Sequence, residues 1–194
     1  MTKKSYYLVN GITLYRLLAT PVLFYLVVSD QLNLFKWLIA ISFFTDAVDG
    51  YLARKYHVVS KLGAKLDSIA DDFTILAALF GLYVFKTDFV KEYFPLFLFV
   101  IGIFLIQTCA ALYRYGKISS FHTYLAKIAA VFQAVFLILA FFLQEPYLPL
   151  FYCTIITTAI ELAEEVMLVF ILPKWQVNVK GLYWVIKSKR NIKL

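Results

Sequence analysis

The chain of 194 residues is 62% hydrophobic and 19% aromatic, with a mean hydropathy of +0.79, which excludes an ordinary soluble domain. Nineteen Lys and Arg against twelve Asp and Glu give a formal charge of +7, but membrane sidedness accounts for that excess without nucleic acid as a partner. The expectation is a single-domain, all-α polytopic membrane protein. Its six spans fall at about 9–28, 34–54, 62–85, 93–113, 123–143 and 148–172, each near the ~20 residues a bilayer core requires.

Residues 1–9, MTKKSYYLV, set two lysines ahead of paired tyrosines, an anchor at headgroup level. No cleavable signal peptide is expected, because the first apolar run is long and follows only a short polar start. Asn10, Thr13 and Arg16 recur every three residues before Pro21, so Arg16 enters the first helix a turn or two deep. It either snorkels to the interface or meets a phosphate. The stretches SDQLN, KTDFVKEYF and QEPYLP are read as short turns on the opposite side.

Between the apolar runs LFKWLIAISFF and FTILAALFGLYVF lies the segment 45–72, TDAVDGYLARKYHVVSKLGAKLDSIADD, which holds five of the twelve acidic residues. Asp46 and Asp49 are three apart, Asp67 and Asp71 four apart, so each pair shares one helical face. Counted back from the basic turn at Arg54 to Lys61, Asp46 lies eight residues into one helix and Asp71 ten into the next. At 1.5 Å per residue that is roughly 12 and 15 Å, matching depths if the helices are antiparallel. Four facing carboxylates need compensating charge. Two divalent cations supply it, and oxygen-only ligands favour Mg²⁺ or Mn²⁺ over Zn²⁺, in the two-metal arrangement known for phosphoryl transfer. A cation or proton pathway is the alternative use of such carboxylates. Gly50, Ala53 and Gly63 clear backbone space beside them, and Arg54 offers a guanidinium suited to phosphate. Asp72, about 100° around from Asp71, is expected at a helix–helix contact.

The pattern Asp46-x2-Asp49-Gly50-x2-Ala53-Arg54-x8-Gly63-x3-Asp67-x3-Asp71 resembles the complete signature of the CDP-alcohol phosphotransferases, integral membrane enzymes of phospholipid synthesis. The resemblance implies a six-helix membrane fold, a homodimer, an active site open to the cytosol, and two Mg²⁺ or Mn²⁺ held by Asp46, Asp49, Asp67 and Asp71. It further implies that Asp71 acts as general base and that Gly50, Ala53 and Arg54, with Gly63 and the aspartates around them, bind the CDP moiety of CDP-diacylglycerol. The opening Asn10-x2-Thr13-x2-Arg16-x4-Pro21 is similar to that of phosphatidylglycerophosphate synthases and related phosphatidyltransferases. The implied reaction is transfer of a phosphatidyl group to an alcohol with release of CMP. Glycerol 3-phosphate is the first acceptor to consider; serine, inositol phosphate and another phospholipid stay open.

The fourth span ends in ALYRYGKISSFHTYLAK, which gathers Arg114, Lys117, His122 and Lys127 where an anionic acceptor can be read. Arg114 and Lys117 equally suit a purely topological role. Lys127 and Gln133 resemble the lysine and glutamine of the fifth helix in phosphatidylglycerophosphate synthases, whereas Ala126 and Ala129 replace a glycine and a second lysine there. Ser68 and Asp72 replace the proline and lysine of those enzymes' LDPLADK. These departures bear on the acceptor, not on the reaction class. Cys109 and Cys153 lie in apolar spans and read as inert packing. Glu161, Glu164 and Glu165 in the sixth span need partners, whether basic groups, an acceptor or a dimer interface. After Pro173 the mix of Trp175, Tyr183, Trp184 and lysines reads as an amphipathic interfacial tail, 173–194. Counting helix ends, sixteen of the nineteen basic residues fall on the side of the termini and the acidic hairpin, which places that side in the cytoplasm.

Overall fold

The computed structural model describes residues 3–56, 61–117, 121, 123–176 and 179–191, of which 3–10, 12–13, 49–56, 61–68 and 189–191 are described by backbone alone. Among the described residues there are eight helices and no strand: α1 (Lys3–Val28), α2 (Leu32–Tyr56), α3 (Lys61–Phe85), α4 (Thr87–Glu92), α5 (Phe94–Tyr115), α6 (Tyr124–Phe142), α7 (Leu148–Ile171) and α8 (Leu182–Asn191). The six long helices fall on the six expected segments, with α1 starting six residues early. The segment KTDFVKEYF, expected as a turn, instead forms α4. The Thr87 hydroxyl donates to the carbonyl of Tyr83 (2.9 Å) and the Lys86 amide to that of Leu82 (3.0 Å), so the chain stays coiled past the end of α3. Asp88 in the first turn of α4 suits the positive end of its dipole.

Local chemistry sets the helix ends. After α1 the amide of Gln31 reaches the carbonyl of Leu26 (2.9 Å) and that of Asp30 reaches Val27 (3.1 Å), a Schellman closure with Asp30 at φ 56°. Asp tolerates the left-handed region better than most residues. Gly116 at φ 65° closes α5 in the same region, its amide on the carbonyl of Leu112. A proline stands in the first turn of α5 and of α7, where no amide partner is needed.

The chain divides into two compact units, Met1–Val90 with Leu137–Glu145, and Lys91–Phe136 with Pro146–Leu194. In the first, α1 packs along both α2 and α3, which touch each other less. Leu23, Phe35, Ile39, Ala77, Ala78 and Leu82 are buried there. Phe35 stands edge-on to Phe141 at 4.9 Å and 5.4 Å from Phe85. The Lys86 ammonium donates to the carbonyls of Leu143 and Gln144 beyond α6. In the second unit α5 packs on α7, and Ala111, Phe121, Leu168, Val169, Leu172 and Val179 form one apolar cluster. Phe151 sits among Tyr93, Phe97 and Phe136 at 5.2–5.5 Å.

Among the described residues α5 and α6 are the two helices long and apolar enough to cross a bilayer, 22 and 19 residues with a mean hydropathy of 2.3. Helix α7 is as long but carries three glutamates, and α2 and α3 carry the aspartate motif. Cys109 and Cys153 are free and exposed rather than packed inside, so their side chains face outward from these helices.

Gly81 sits where α3 meets the Phe35 ring: a Cβ there would fall 2.6 Å from Cζ of Phe35 and 3.4 Å from Cζ of Phe141. Alanine gains about 1 kcal/mol of helix propensity, but crowding a packed aromatic typically costs about 1–3 kcal/mol. Gly81→Ala is therefore expected to lower the unfolding temperature of the detergent-solubilised protein, and Gly81→Ala with Phe35→Leu to recover part of the loss.

Candidate active site

The acidic site is built by three helices of the first unit. Arg16 on α1 is buried at 1% exposure, although a charged side chain in that position carries a large desolvation cost. Its Nη1 donates to Oδ1 of Asp46 on α2 at 2.7 Å, and its Nη2 donates to Oδ1 of Asp71 on α3. The fork of the guanidinium thus links two helices to a third, each nitrogen serving a different carboxylate. The side chain does not snorkel; it turns inward.

The equal depth expected for Asp46 and Asp71 is what lets one guanidinium reach both. Exposure is uneven: the carboxylates are 39% and 37% exposed while the arginine beneath them is 1%. Arg16 therefore lies on the inner side of an acidic pair that stays partly exposed. Asp49, Gly50, Ala53, Arg54, Gly63 and Asp67 lie on stretches described by backbone alone, so their side chains, like those of Asn10 and Thr13, fall outside the described residues. Asp72, expected at a helix–helix contact, is exposed; one residue on from Asp71, it is rotated out of the α1–α3 packing.

Among the described residues no group of three or more His, Cys, Asp or Glu can hold a metal ion. Two of the four motif side chains are outside that set. What is described fits a hard cation: two partly exposed carboxylates from different helices converge on one point, the donor chemistry Mg²⁺ and Mn²⁺ take.

The basic residues of the second unit are engaged locally. Arg114 donates to the carbonyl of Leu172 at 3.2 Å, beside the Tyr115 hydroxyl, which lies 2.9 Å from the carbonyls of Val169 and Leu172. Together they serve the carbonyl end of α7, where cations and donors are favoured. Lys117 lies over the Trp175 ring at 5.1 Å, and Lys127 over Tyr124 at 5.3 Å. Gln133 donates to Oγ1 of Thr158 at 2.9 Å. Ala129, where a second lysine was the comparison, is 1% exposed; that position is packed.

Two of the three glutamates of α7, Glu164 and Glu165, accept hydrogen bonds from other elements. Glu165, buried, accepts from Nε2 of Gln107 at 2.6 Å. Glu164 accepts the Leu182 amide at 2.9 Å and so caps α8. The approach requires Gly181, at φ 146°, whose Cβ would fall 3.1 Å from Oε1 of Glu164. Neither pairing is legible in the sequence, since Gln107 and Leu182 bear no special spacing to α7.

Residues 6–171 match the family described as CDP-alcohol phosphatidyltransferase. The chain belongs to that family. It is 32% identical over 127 residues to the CDP-diacylglycerol–glycerol-3-phosphate 3-phosphatidyltransferase of Rickettsia typhi, covering 64% of this chain and 70% of the relative. It is 41% identical over 66 residues to the CDP-diacylglycerol–inositol 3-phosphatidyltransferase of Saccharomyces cerevisiae, covering 34% and 30%. A cardiolipin synthase–hydrolase fusion protein of Schizosaccharomyces pombe matches at 40% over 62 residues, 32% of this chain and 10% of that protein. No solved structure matches. As a CDP-alcohol phosphatidyltransferase, a transferase of phospholipid biosynthesis, the protein is an enzyme, and an ion pathway is set aside as the explanation of its carboxylates.

Adjacent aspartates separate the site from its surroundings. Asp71→Asn is expected to lower kcat by about 10²–10⁴-fold, the scale of a lost general base. Asp72→Asn, outside the packing, is expected to change it by less than about tenfold, about 1.4 kcal/mol in barrier. Steady-state rates on purified protein measure both.

Proposed function

We propose that this enzyme transfers a phosphatidyl group from CDP-diacylglycerol to glycerol 3-phosphate, giving phosphatidylglycerophosphate and CMP. The observation that carries the reading is the convergence of Asp46 and Asp71, from separate helices, in a chain that retains every position of the family signature. The names of the rickettsial relatives and the presence of Lys127 and Gln133 support the acceptor. Six membrane spans, a dimer, cytoplasmic termini and an active site facing the cytoplasm belong to the same proposal, supported by the six long helices and the distribution of basic residues.

In this reading Asp46, Asp49, Asp67 and Asp71 hold two Mg²⁺ or Mn²⁺, which when bound neutralise the pyrophosphate and the departing CMP. Gly50, Ala53 and Gly63 let the cytidine diphosphate approach the backbone, and Arg54 pairs with a phosphate. Asp71 accepts the proton of the acceptor hydroxyl as its oxygen bonds to the phosphorus of the phosphatidyl group. The phosphorus–oxygen bond to CMP breaks, and CMP leaves with the electron pair. Lys127 reads the phosphate of the acceptor, while Arg114 and Lys117 serve the protein's own architecture.

Membranes assayed with CDP-diacylglycerol and glycerol 3-phosphate, serine, inositol phosphate or phosphatidylglycerol are expected to release CMP with the first alone. Another productive acceptor would displace it. Chelation should abolish turnover and Mg²⁺ or Mn²⁺ restore it. Asp46→Asn and Asp67→Asn are each expected to lose turnover while staying folded. Lys127→Ala should raise KM for glycerol 3-phosphate far more than for CDP-diacylglycerol, and Lys127→Arg should recover part of the loss, because charge rather than shape is being supplied. Equal rises in both KM values would make Lys127 structural.

A further inference from the structure

We propose that Arg16 is the resident counter-ion of the acidic site, a positioning residue that holds Asp46 and Asp71 together before any divalent cation enters and competes with the cation for them. The inference rests on the two-metal reading above. The guanidinium is 1% exposed and donates to both carboxylates, which are themselves more than one-third exposed. A guanidinium is protonated at every accessible pH, so burying it without carboxylates would leave an uncompensated charge in an apolar helix pack. The carboxylates are held in turn, since α1 packs along both α2 and α3 and the one side chain draws both acids to a common point. Without Arg16 and without metal, Asp46 and Asp71 repel each other.

Charge decides the competition. Four motif aspartates and Arg16 sum to −3, so the site still attracts cations, but less strongly than the −4 it would carry without the arginine. Two divalent cations bring the total to +1, a balance that suits an incoming pyrophosphate anion. Arg16 thus exchanges some metal affinity for a site that is assembled before it is loaded.

The test is Mn²⁺ binding to the purified full-length protein, read as free Mn²⁺ by electron paramagnetic resonance, beside thermal unfolding in chelator. Arg16→Gln is expected to unfold at a lower temperature in chelator, to regain most of the loss with Mn²⁺, and to bind Mn²⁺ at least about tenfold tighter than the wild type. Arg16→Lys should fall between, because one ammonium bridges two carboxylates less well than a fork. A folded Arg16→Gln protein whose Mn²⁺ affinity is unchanged or weaker overturns the proposal, since a merely structural ion pair would not tighten metal binding when broken. Should Arg16→Gln fail to fold, the pair Arg16→Gln with Asp71→Asn removes one charge of each sign; recovery of the metal-free fold supports the proposal and no recovery overturns it. Wild-type protein that takes up no Mn²⁺ removes the two-metal reading and the inference with it, whereas normal uptake by the wild type and an unaltered variant sinks the inference alone.

Discussion

A guanidinium buried inside a pack of apolar helices constrains everything around it. Arg16 lies in the middle of α1 (Lys3–Val28), and its two nitrogens fix where α2 must present Asp46 and where α3 must present Asp71. The register of α1 against both helices follows from that single group. A slide of one residue would carry a side chain about 1.5 Å along the axis and 100° around it, enough to break either pair. Apolar packing between the same helices is tolerant by comparison, because leucines and phenylalanines accept many neighbours. The ion pairs supply specificity of register, and the apolar contacts supply most of the area.

The second unit joins its helices through hydrogen bonds. Its side-chain bonds pair Gln107 with Glu165, Gln133 with Thr158, the Thr154 hydroxyl with the carbonyls of Leu150 and Phe132, and Oε1 of Glu164 with the first amide of α8. Water is scarce along apolar helices, so each donor unmet there would cost about 1–3 kcal/mol. These bonds tie α5 and α6 to α7 and hold the start of the tail. The backbone pairs from Val179 to Phe121 and from Tyr124 to Lys180 fasten that tail to the segment before α6. Arg114 and Tyr115 close the carbonyl end of α7, which gives two residues of the basic turn a structural occupation.

Apolar patterning and aspartate spacing already carry the helical elements and the reaction class. Long apolar runs interrupted by a polar hairpin place the six long helices, apart from the early start of α1 at Lys3, because burying backbone amides in an apolar setting leaves a helix as the only economical choice. The aspartate spacing and its small residues point to the family that residues 6–171 match. The polar residues of KTDFVKEYF read as a turn, while a threonine hydroxyl and continuing amide bonds keep Thr87–Glu92 helical.

The partners of the buried polar side chains emerge when the helices pack. Nothing in Asn10-x2-Thr13-x2-Arg16 says that the arginine faces inward, as sequence spacing orders residues around one helix but is silent about which neighbour a face meets. Snorkelling and pairing have the same one-dimensional signature. The same holds for Glu165 and Gln107, 58 positions apart, and for Ala129, whose burial explains why this chain carries no lysine there. Side-chain pairing at long range is set by how whole helices pack, through the sum of many weak contacts, and so it is written in the sequence only collectively.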